Sequence, residues 1–299
     1  MNTFEFYRFR FHFRALDEVR FPPSKSGNVV RGAFGMVLRD TASPATYQRL
    51  FQPVAPPGQH VPSGLADWPR PFVLRATHLD GQTFSPEAQF FFDVHIFELR
   101  QPFLEDFQSA FTELAEKGIG VRRGRAALER VEQLDLFDWP VPANGLAQPS
   151  PVPLDPDPAP ISGVQMRFLS ATELKTAGGL AERPDFPILF GRLRDRISTL
   201  RALYGPGPLA IDFRAAGERA AAIRMVRCKL TWEKVERKSG RTGQIHPLGG
   251  FLGDADYEGD LAEFLPWLRV ARWVGVGRQT VWGKGDVRVV GTTPGSVIP

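Results

Sequence analysis

The chain is poor in the features that mark secreted and membrane-spanning proteins. Its 299 residues contain one cysteine, Cys228, which excludes a disulfide framework and a cysteine-based metal site. No apolar run approaches the roughly 18 residues that a membrane span needs. The stretch from Thr3 to Phe13 alternates charged and aromatic residues, unlike the continuous apolar core of a signal peptide. We therefore expect a cytoplasmic protein with no membrane partner.

Lysine is scarce among the cations. Of 37 lysines and arginines only seven are lysines, and the formal net charge is +4. Arginine pairs with phosphate at two points and stacks on bases, so this bias favours an anionic partner such as a nucleic acid. A GC-rich genome, which prefers arginine codons, would produce the same bias without any function. Composition therefore permits a nucleic-acid partner and does not identify one.

The sequence offers little for a metal or cofactor. Asp254, Asp256, Glu258 and Asp260 alternate strictly, which places them along one face of a strand. Carboxylates that converge at a phosphate site normally hold Mg²⁺, but a row of this kind is typical of a solvent-facing sheet surface. The glycines at Gly205 and Gly207 form a turn and lack the P-loop spacing. We therefore predict no metal and no cofactor.

Hydrophobic periodicity in the first half predicts the order strand, helix, strand, strand, helix, strand. Phe4, Phe6, Phe9, Phe11 and Phe13 alternate with polar residues, and the slip in phase after Phe6 predicts a bulge or a switch of face. The later elements are predicted at Asn28 to Arg39, Pro71 to His78, Ala88 to Leu99, Phe103 to Lys117 and Val121 to Val131. This order is the ferredoxin-like plan.

A proline-rich stretch follows the first half. Asp138 to Ser162 contains eight prolines, and a segment so poor in backbone donors is expected to lie outside any sheet as an extended linker. We therefore expect domains at 1–137 and 163–299, joined by a linker at 138–162.

The second half repeats the plan. Its elements are predicted at Gly163 to Ser170, Pro187 to Tyr204, Ala222 to Val235, Leu248 to Tyr257, Leu261 to Leu268 and Asp286 to Val290. In both halves the last helix leads into Gly-x-Gly and a basic segment, at 118–125 and at 275–288. The sequence therefore predicts an α+β protein with two tandem ferredoxin-like, or RRM-like, domains that arose by duplication.

The most distinctive stretch is GVGRQTVWGKG, from Gly275 to Gly285, which we call the glycine loop. Glycine tolerates positive φ and lets another surface approach closely. Arg278, Trp282 and Lys284 add positive charge and an aromatic ring, a combination that suits RNA or single-stranded DNA. The same letters also describe a tight turn before a C-terminal strand.

The chain resembles the CRISPR-associated endoribonucleases that cut precursor CRISPR RNA within its repeats, members of the RAMP superfamily. The glycine loop looks like the Gly-x-Gly-x5-Gly-x-Gly loop of that superfamily. The tract at 235–268 is similar to the family's basic turn, Gly-Gly strand and helix. Three segments of the first half, FPPSKSGNVVRGAFG (21–35), PRPFVL (69–74) and KGIGVRRGR (117–125), also resemble family segments.

This resemblance implies two ferredoxin-like domains that form a cleft and cleave RNA without a metal. A ribose 2′-hydroxyl would attack the adjacent phosphate and leave a 2′,3′-cyclic phosphate and a 5′-hydroxyl end. Such a reaction needs a proton acceptor, a proton donor and cations around the phosphate. The implied partners are the repeat of the precursor CRISPR RNA and other CRISPR effector subunits.

The candidate catalytic residues depart from the family pattern. Many members place a general-base histidine in or just after the first helix, but Asn28 to Arg39 contains none. We therefore consider cations and a tyrosine near that helix together with two histidines from loop-rich or basic tracts: Lys25, Arg31, Tyr47, His60 and His246. Plain phosphate binding or solvation explains Lys25 and Arg31 equally simply. His12, His78 and His95 fall on predicted strands and are expected to be structural.

The candidate RNA-binding residues lie in three basic segments. In the first half they are Arg122, Arg123 and Arg125, and in the basic turn of the second half they are Arg237, Lys238 and Arg241. In the glycine loop they are Gly275, Gly277, Arg278, Trp282, Gly283, Lys284 and Gly285. Trp282 would stack on a base or pack in the core.

Two other functions remain open at this point. The missing helix histidine favours a non-catalytic RAMP subunit that holds guide RNA in a CRISPR effector complex. A general binder of single-stranded RNA would show no preference for repeat sequence.

Overall fold

The structure, a computed structural model, describes residues 2–55, 68–142, 147–176, 178–234, 236–238, 245–247 and 249–295. For 236–238 and 245–247 it describes the secondary structure alone.

The first half forms a ferredoxin-like domain, as predicted. Its antiparallel sheet has the order β3–β5–β1–β6, and β2 pairs with β4 beside it. Helices α1 and α3 cover one face of the sheet through packed phenylalanines such as Phe11, Phe34 and Phe111. The elements are β1 (Thr3–Ala15), β2 (Val19–Arg20), α1 (Ser26–Thr41), α2 (Pro44–Phe51), β3 (Phe72–Arg75), β4 (Thr83–Phe84), β5 (Gln89–Ile96), α3 (Leu104–Lys117) and β6 (Ala126–Gln133).

The slip in phase along β1 is a switch of face. The pairing of β1 with β5 runs without a shift from Tyr7 to Arg14. Phe4 and Phe6 pack into the core of the second half, whereas Tyr7, Phe9 and the following odd-numbered residues pack into the core of the first. Because successive side chains of a strand point to opposite faces, β1 serves both cores.

The fourth predicted strand begins later than expected. Residues 119–125 form a turn closed by a bridge between Ile119 and Gly124, and β6 starts only at Ala126. The predicted start at Val121 is therefore wrong. Gly118 and Gly120 adopt positive φ and reverse the chain before the strand can begin.

The proline-rich stretch does enter a sheet, contrary to expectation. Strand β7 (Ser150–Pro153) pairs with Thr3 to Phe6 of β1. Pro151 and Pro153 are two residues apart, so their missing N–H groups lie on the same edge and leave the other edge able to pair. We propose that 138–162 still connects the two domains.

The second half forms a second ferredoxin-like domain. Its antiparallel sheet has the order β11–β14–β8–β15, which matches the first sheet strand for strand. The short strands β12 and β13 form a hairpin that continues from β11 and β14. The elements are β8 (Ile161–Thr172), β9 (Lys175–Thr176), β10 (Gly179–Leu180), α4 (Phe186–Tyr204), α5 (Phe213–Ala220), β11 (Arg224–Glu233), β12 (Glu236–Lys238), β13 (Ile245–Pro247), β14 (Gly250–Glu258), α6 (Leu265–Val274) and β15 (Val287–Pro294).

Helix α6 starts four residues after its predicted start at Leu261. Pro266 lies in the first turn of α6, where its missing N–H costs nothing. The predicted span of Leu261 to Leu268 would have placed this proline in a helix interior, where it is destabilising.

Three of the four alternating carboxylates, Asp254, Asp256 and Glu258, lie along β14, and Asp260 follows the end of the strand. Asp254 pairs with Arg167 on β8 at 2.7 Å, and Asp256 pairs with Arg227 on β11. Each carboxylate therefore faces an arginine on a neighbouring strand, an arrangement that stabilises the sheet surface.

Candidate functional site

The glycine loop uses its glycines as the sequence predicts. Gly275, Gly277, Gly283 and Gly285 have φ values of 74°, 82°, 79° and 70°. A Cβ atom on Gly277 would lie 2.3 Å from the carbonyl oxygen of Glu173, and one on Gly285 would lie 2.1 Å from that of Val276. Both the left-handed backbone and the close approach exclude other residues at these positions.

The loop also crosses from the second domain to the first. A Cβ atom on Gly27, in the first turn of α1, would lie 2.9 Å from the Cα of Gly283 and 3.0 Å from the carbonyl oxygen of Trp282. The loop and the helix therefore meet backbone to backbone. This contact places the loop at the N-terminal end of the first helix.

Side chains of the sheet and of α4 hold the helix that leads into the loop. Arg75 on β3 donates from Nε to the carbonyl of Arg272 at 3.0 Å. His95 on β5 donates from Nδ1 to the carbonyl of Trp273 at 2.8 Å, and Arg196 on α4 donates to the carbonyl of Val274 at 2.7 Å. These bonds satisfy the last carbonyls of α6, which otherwise lack partners within the helix.

His95 is a buried core residue. Burial, and to a smaller extent the neighbouring cations Arg8 and Arg75, lower the pKa of His95 to about 3. The ring is therefore neutral at physiological pH. Arg75 is also buried, and burial lowers the pKa of its guanidinium while Asp286 opposes that shift.

Beside the loop contact, an aromatic cluster surrounds Arg31. The guanidinium carbon of Arg31 lies 4.1 Å from the ring centre of Phe51 on α2 and 5.5 Å from that of Trp282. Tyr47 stacks on Phe51 with 5.5 Å between ring centres. Arg31 is 7% exposed, and its buried guanidinium lies close to both aromatic rings.

Lys25 immediately precedes α1 and is half-buried. Its carbonyl accepts a hydrogen bond from the amide of Val29, and the amide of Ser26 donates to Asp80 Oδ1 at 2.9 Å. The positive end of the helix dipole lies at this point. The structure thus gathers Lys25, Arg31, Tyr47 (through Phe51) and Trp282 into one region.

Two cations in this region are more deeply buried than the sequence suggests. Lys284 is only 4% exposed and donates to the carbonyl of Ser24 at 2.9 Å, which does not fit a direct grip on the RNA backbone. Arg31 is also too buried for plain solvation. In both cases the physical reason is that the second domain docks on the start of α1.

Other candidate binding residues lie on the surface. Arg278 is exposed and forms an ion pair with the buried Glu173. Arg122 and Arg125 pair with Glu18 and Asp17 at the turn before β6. Arg123 occupies the same turn with a positive φ of 54°.

Some candidates cannot be placed. His60 and Arg241 lie outside the described residues. Arg237 and Lys238 lie on β12 and His246 on β13, where Arg237 pairs with His246. The side chains of this hairpin are not described.

No sequence pattern singles out Ser24 or Glu233. Ser24 Oγ donates to Glu233 Oε1, and Glu233 Oε2 lies 3.6 Å from Lys284 Nζ. Ser24 is adjacent to Lys25, and Glu233 ends β11 directly before the basic turn. In the sequence, only their positions next to Lys25 and next to the basic turn could have drawn attention to Ser24 and Glu233.

Two searches of the described ranges gave negative results. In those ranges no group of three or more His, Cys, Asp or Glu side chains is placed to hold a metal ion. Likewise, none of the helices described there is long and apolar enough to cross a membrane.

Comparison with known proteins agrees with this architecture. A family profile named AF_1859_N, described as an N-terminal domain, matches residues 4–150. The profile described as CRISPR-associated endoribonuclease Cas6 matches residues 166–287. A search of curated proteins found no match.

Solved structures share the fold at low identity. A Cas6 product complex is 18% identical, with a TM-score of 0.57 over 96% of this chain and 99% of that chain. Cas6 from Thermus thermophilus is 17% identical, with a TM-score of 0.55 over 97% and 100%. A partial Cas6-RT-Cas1–Cas2 complex is 12% identical, with a TM-score of 0.61 over 98% and 47%. The second domain of this chain therefore matches the Cas6 family of CRISPR-associated endoribonucleases, and the solved Cas6 structures share the fold of the whole chain.

Proposed function

We propose that this chain cleaves precursor CRISPR RNA within its repeats. The observation that carries this proposal is the contact between the glycine loop and α1, which gathers Lys25, Arg31, Tyr47 and Trp282 at the junction of the two domains. Cations, an ionisable hydroxyl and an aromatic face are the groups that an RNA phosphate and its bases require.

The reaction would begin at a ribose 2′-hydroxyl. Its oxygen forms a bond to the adjacent phosphorus while the bond from phosphorus to the 5′-oxygen breaks. The 2′-proton passes to a base, and the departing 5′-oxygen receives a proton from an acid. The products are a 2′,3′-cyclic phosphate and a 5′-hydroxyl end, and no metal ion takes part.

The local geometry suggests a role for each group. Lys25 is half-buried beside the positive end of α1, where it can stabilise phosphate charge or donate a proton. Tyr47 is half-buried as well and is a candidate acid or base. Arg31 sits behind Trp282 and is placed to hold that ring rather than to reach RNA.

His246 is our candidate catalytic residue from the second domain. It pairs in register with Arg237 on the hairpin that follows β11. Glu233, at the end of β11, bonds to Ser24 beside Lys25. The hairpin therefore starts from the same junction.

The test is cleavage of the cognate repeat RNA in the presence of EDTA. We expect cutting to persist, and a 2′-deoxy substitution at the scissile position to abolish it while binding remains. Cleavage of the 2′-deoxy substrate, or dependence on added Mg²⁺, would contradict the proposed chemistry.

A second candidate function is a non-catalytic subunit that retains guide RNA. The observation that favours it is the absence of histidine from α1, Ser26 to Thr41. Substitution of Lys25, Tyr47, His60 and His246 one at a time separates the two functions. Tight, repeat-specific binding by a wild-type chain that does not cut would support the retaining subunit.

Protein partners follow from the same proposal. One structural neighbour is a Cas6-RT-Cas1–Cas2 complex. We include other CRISPR proteins among the proposed partners of this chain, along with the repeat RNA.

A further inference from the structure

Lys284 joins three segments that are distant in sequence. Its Nζ donates to the carbonyl of Ser24 at 2.9 Å and lies 3.6 Å from Glu233 Oε2. Ser24 Oγ closes the set by donating to Glu233 Oε1. Ser24 precedes α1, Glu233 ends β11, and Lys284 belongs to the glycine loop. We call these three residues the latch.

The latch is an internal connection. The side chains of Lys284 and Glu233 are 5% and 20% exposed. Burial lowers the pKa of Lys284, while Glu233 and Asp80 oppose that shift and Lys25 adds to it. A buried ammonium that is already bonded on two sides has little capacity left for a phosphate.

Ser24 carries backbone strain at this point. Its φ is 56°, in the left-handed region that non-glycine residues seldom occupy. A residue keeps such a conformation when its surroundings fix it, and both its carbonyl and its hydroxyl are bonded within the latch. The next residue is Lys25, so the latch determines where the chain enters α1.

We propose that the latch is a positioning device for RNA cleavage, which holds Lys25 and the start of α1 at a fixed place relative to the β12–β13 hairpin. This inference rests on the proposed function. Lys284 is a positioning residue in this reaction and makes no phosphate contact. Loss of the latch should therefore slow the bound reaction more than it weakens binding.

The first experiment compares Lys284→Met with wild type in two assays on repeat RNA. With enzyme in excess and RNA fully bound, we expect cleavage to slow by about 10- to 100-fold, the cost of a small misplacement of reacting groups. The dissociation constant for uncleavable 2′-deoxy RNA should change by less than about 3-fold, and its salt dependence should stay the same. A lost phosphate contact would instead lower the log–log salt slope by about 0.7.

Two further variants provide matched controls. Lys284→Arg keeps the charge and should recover much of the rate. Arg214→Met removes a surface cation on α5, which pairs with Glu218 and has a side chain that is 90% exposed, and should leave both assays unchanged. The positioning role would be overturned if Lys284→Arg cleaved bound RNA as slowly as Lys284→Met. It would also be overturned if Lys284→Met lowered the log–log salt slope of RNA binding.

A double variant tests whether the latch acts as one unit. Glu233→Gln removes the charge but retains a group that can bond to Ser24. Lys284→Met combined with Glu233→Gln should slow cleavage no more than Lys284→Met alone, because coupled residues are not additive. If the fold decrease in cleavage rate of the double variant equalled the product of the two single decreases, the latch would not act as one unit. If Lys284→Met does not fold, the cleavage rate and RNA affinity of Glu233→Gln and Lys284→Arg are compared with those of wild type instead.

Hydrogen exchange keeps this test separate from the proposed function. Amides at the start of α1, from Lys25 to Val30, should exchange faster in the Lys284→Met variant, whether or not the wild-type chain cuts RNA. Unchanged exchange would overturn the latch. A wild-type chain that never cuts, with faster exchange in the variant, would contradict the proposed function and leave the structural connection intact.

Discussion

The Gly-x-Gly turns at 118–120 and 275–277 occupy equivalent places in the two domains and lead into segments that make different contacts. Each follows the last helix of its domain, α3 in the first and α6 in the second. A Cβ atom on Gly120 would lie 2.3 Å from the carbonyl oxygen of Arg20, within the same domain. In the second domain a Cβ atom on Gly277 would likewise lie 2.3 Å from the carbonyl oxygen of Glu173, but the glycine loop that this turn opens continues to Gly283, which abuts Gly27 of the first domain.

The equivalent positions of the two turns determine their backbone conformation, but they do not determine which segment of the protein each turn and its following residues contact. Gly118 and Gly120 have positive φ, like their counterparts Gly275 and Gly277. Charges differ between the turns. Arg122 and Arg125 remain exposed, whereas Lys284 is buried against the first domain. The first turn thus closes its own domain, and the second joins the two domains.

The largest expected effect is a loss of stability in both turns, accompanied by a loss of cleavage activity in the second turn alone. Gly120→Ala and Gly283→Ala each force a left-handed alanine into close contact, and each should lower the free energy of unfolding by about 2–5 kcal/mol. Gly283→Ala should in addition slow cleavage of bound RNA, because it pushes the loop away from α1. Urea unfolding and single-turnover cleavage measure the two quantities. Equal activity in the two variants, when both are folded, would contradict the comparison.

A smaller effect concerns the helix that carries the second turn. His95 has a pKa of about 3 in the folded protein and about 6.5 when unfolded. As the pH falls from about 6.5 towards 3, the unfolded chain binds a proton that the folded chain does not. Stability should therefore fall, by at most about 1.4 kcal/mol per pH unit from this group.

His95→Asn isolates that contribution. Asparagine offers an amide donor to the carbonyl of Trp273 and does not titrate. Below pH 6.5, wild type should lose stability more steeply than His95→Asn as the pH falls. Parallel pH profiles for the two proteins would show that His95 does not remain neutral at the end of α6.

The smallest expected effect compares surface arginines of the two turns. Arg122→Ala and Arg278→Ala should each weaken RNA binding by less than about 10-fold and lower the log–log salt slope by about 0.7 if each contacts one phosphate. Neither should slow cleavage of saturated RNA. Binding titrations at several salt concentrations provide the measurement. A lower slope in Arg278→Ala alone would restrict RNA contact to the second turn.

Local patterns were sufficient to predict the fold. Alternating phenylalanines predicted β1, and the order of periodic segments predicted both ferredoxin-like domains. The glycine spacing predicted the positive φ values of the loop, because only local sterics are involved. Errors arose where one residue decides a boundary, such as Pro266 in α6.

The candidate site was less accessible to sequence reasoning. Lys25, Arg31 and Tyr47 were selected from their place near the first helix. The structure brings Arg31 and, through Phe51, Tyr47 together with Trp282, and Lys25 lies at the start of the same helix. The burial of Lys284 could not be predicted, because its partner Ser24 lies 260 residues away. Ser24 and Glu233 likewise acquire importance only when the domains dock.

The most direct test of the loop and helix contact uses two glycines of α1. A Cβ atom on Gly27 would lie 2.9 Å from the Cα of Gly283, whereas one on Gly32 meets nothing within 4 Å. Both variants replace glycine by alanine in one helix, and that change alone stabilises a helix by up to about 1 kcal/mol. In single-turnover cleavage of repeat RNA, Gly27→Ala should be at least about 10-fold slower than wild type, and Gly32→Ala should match wild type. Equal rates for the two variants would contradict a site built at this contact.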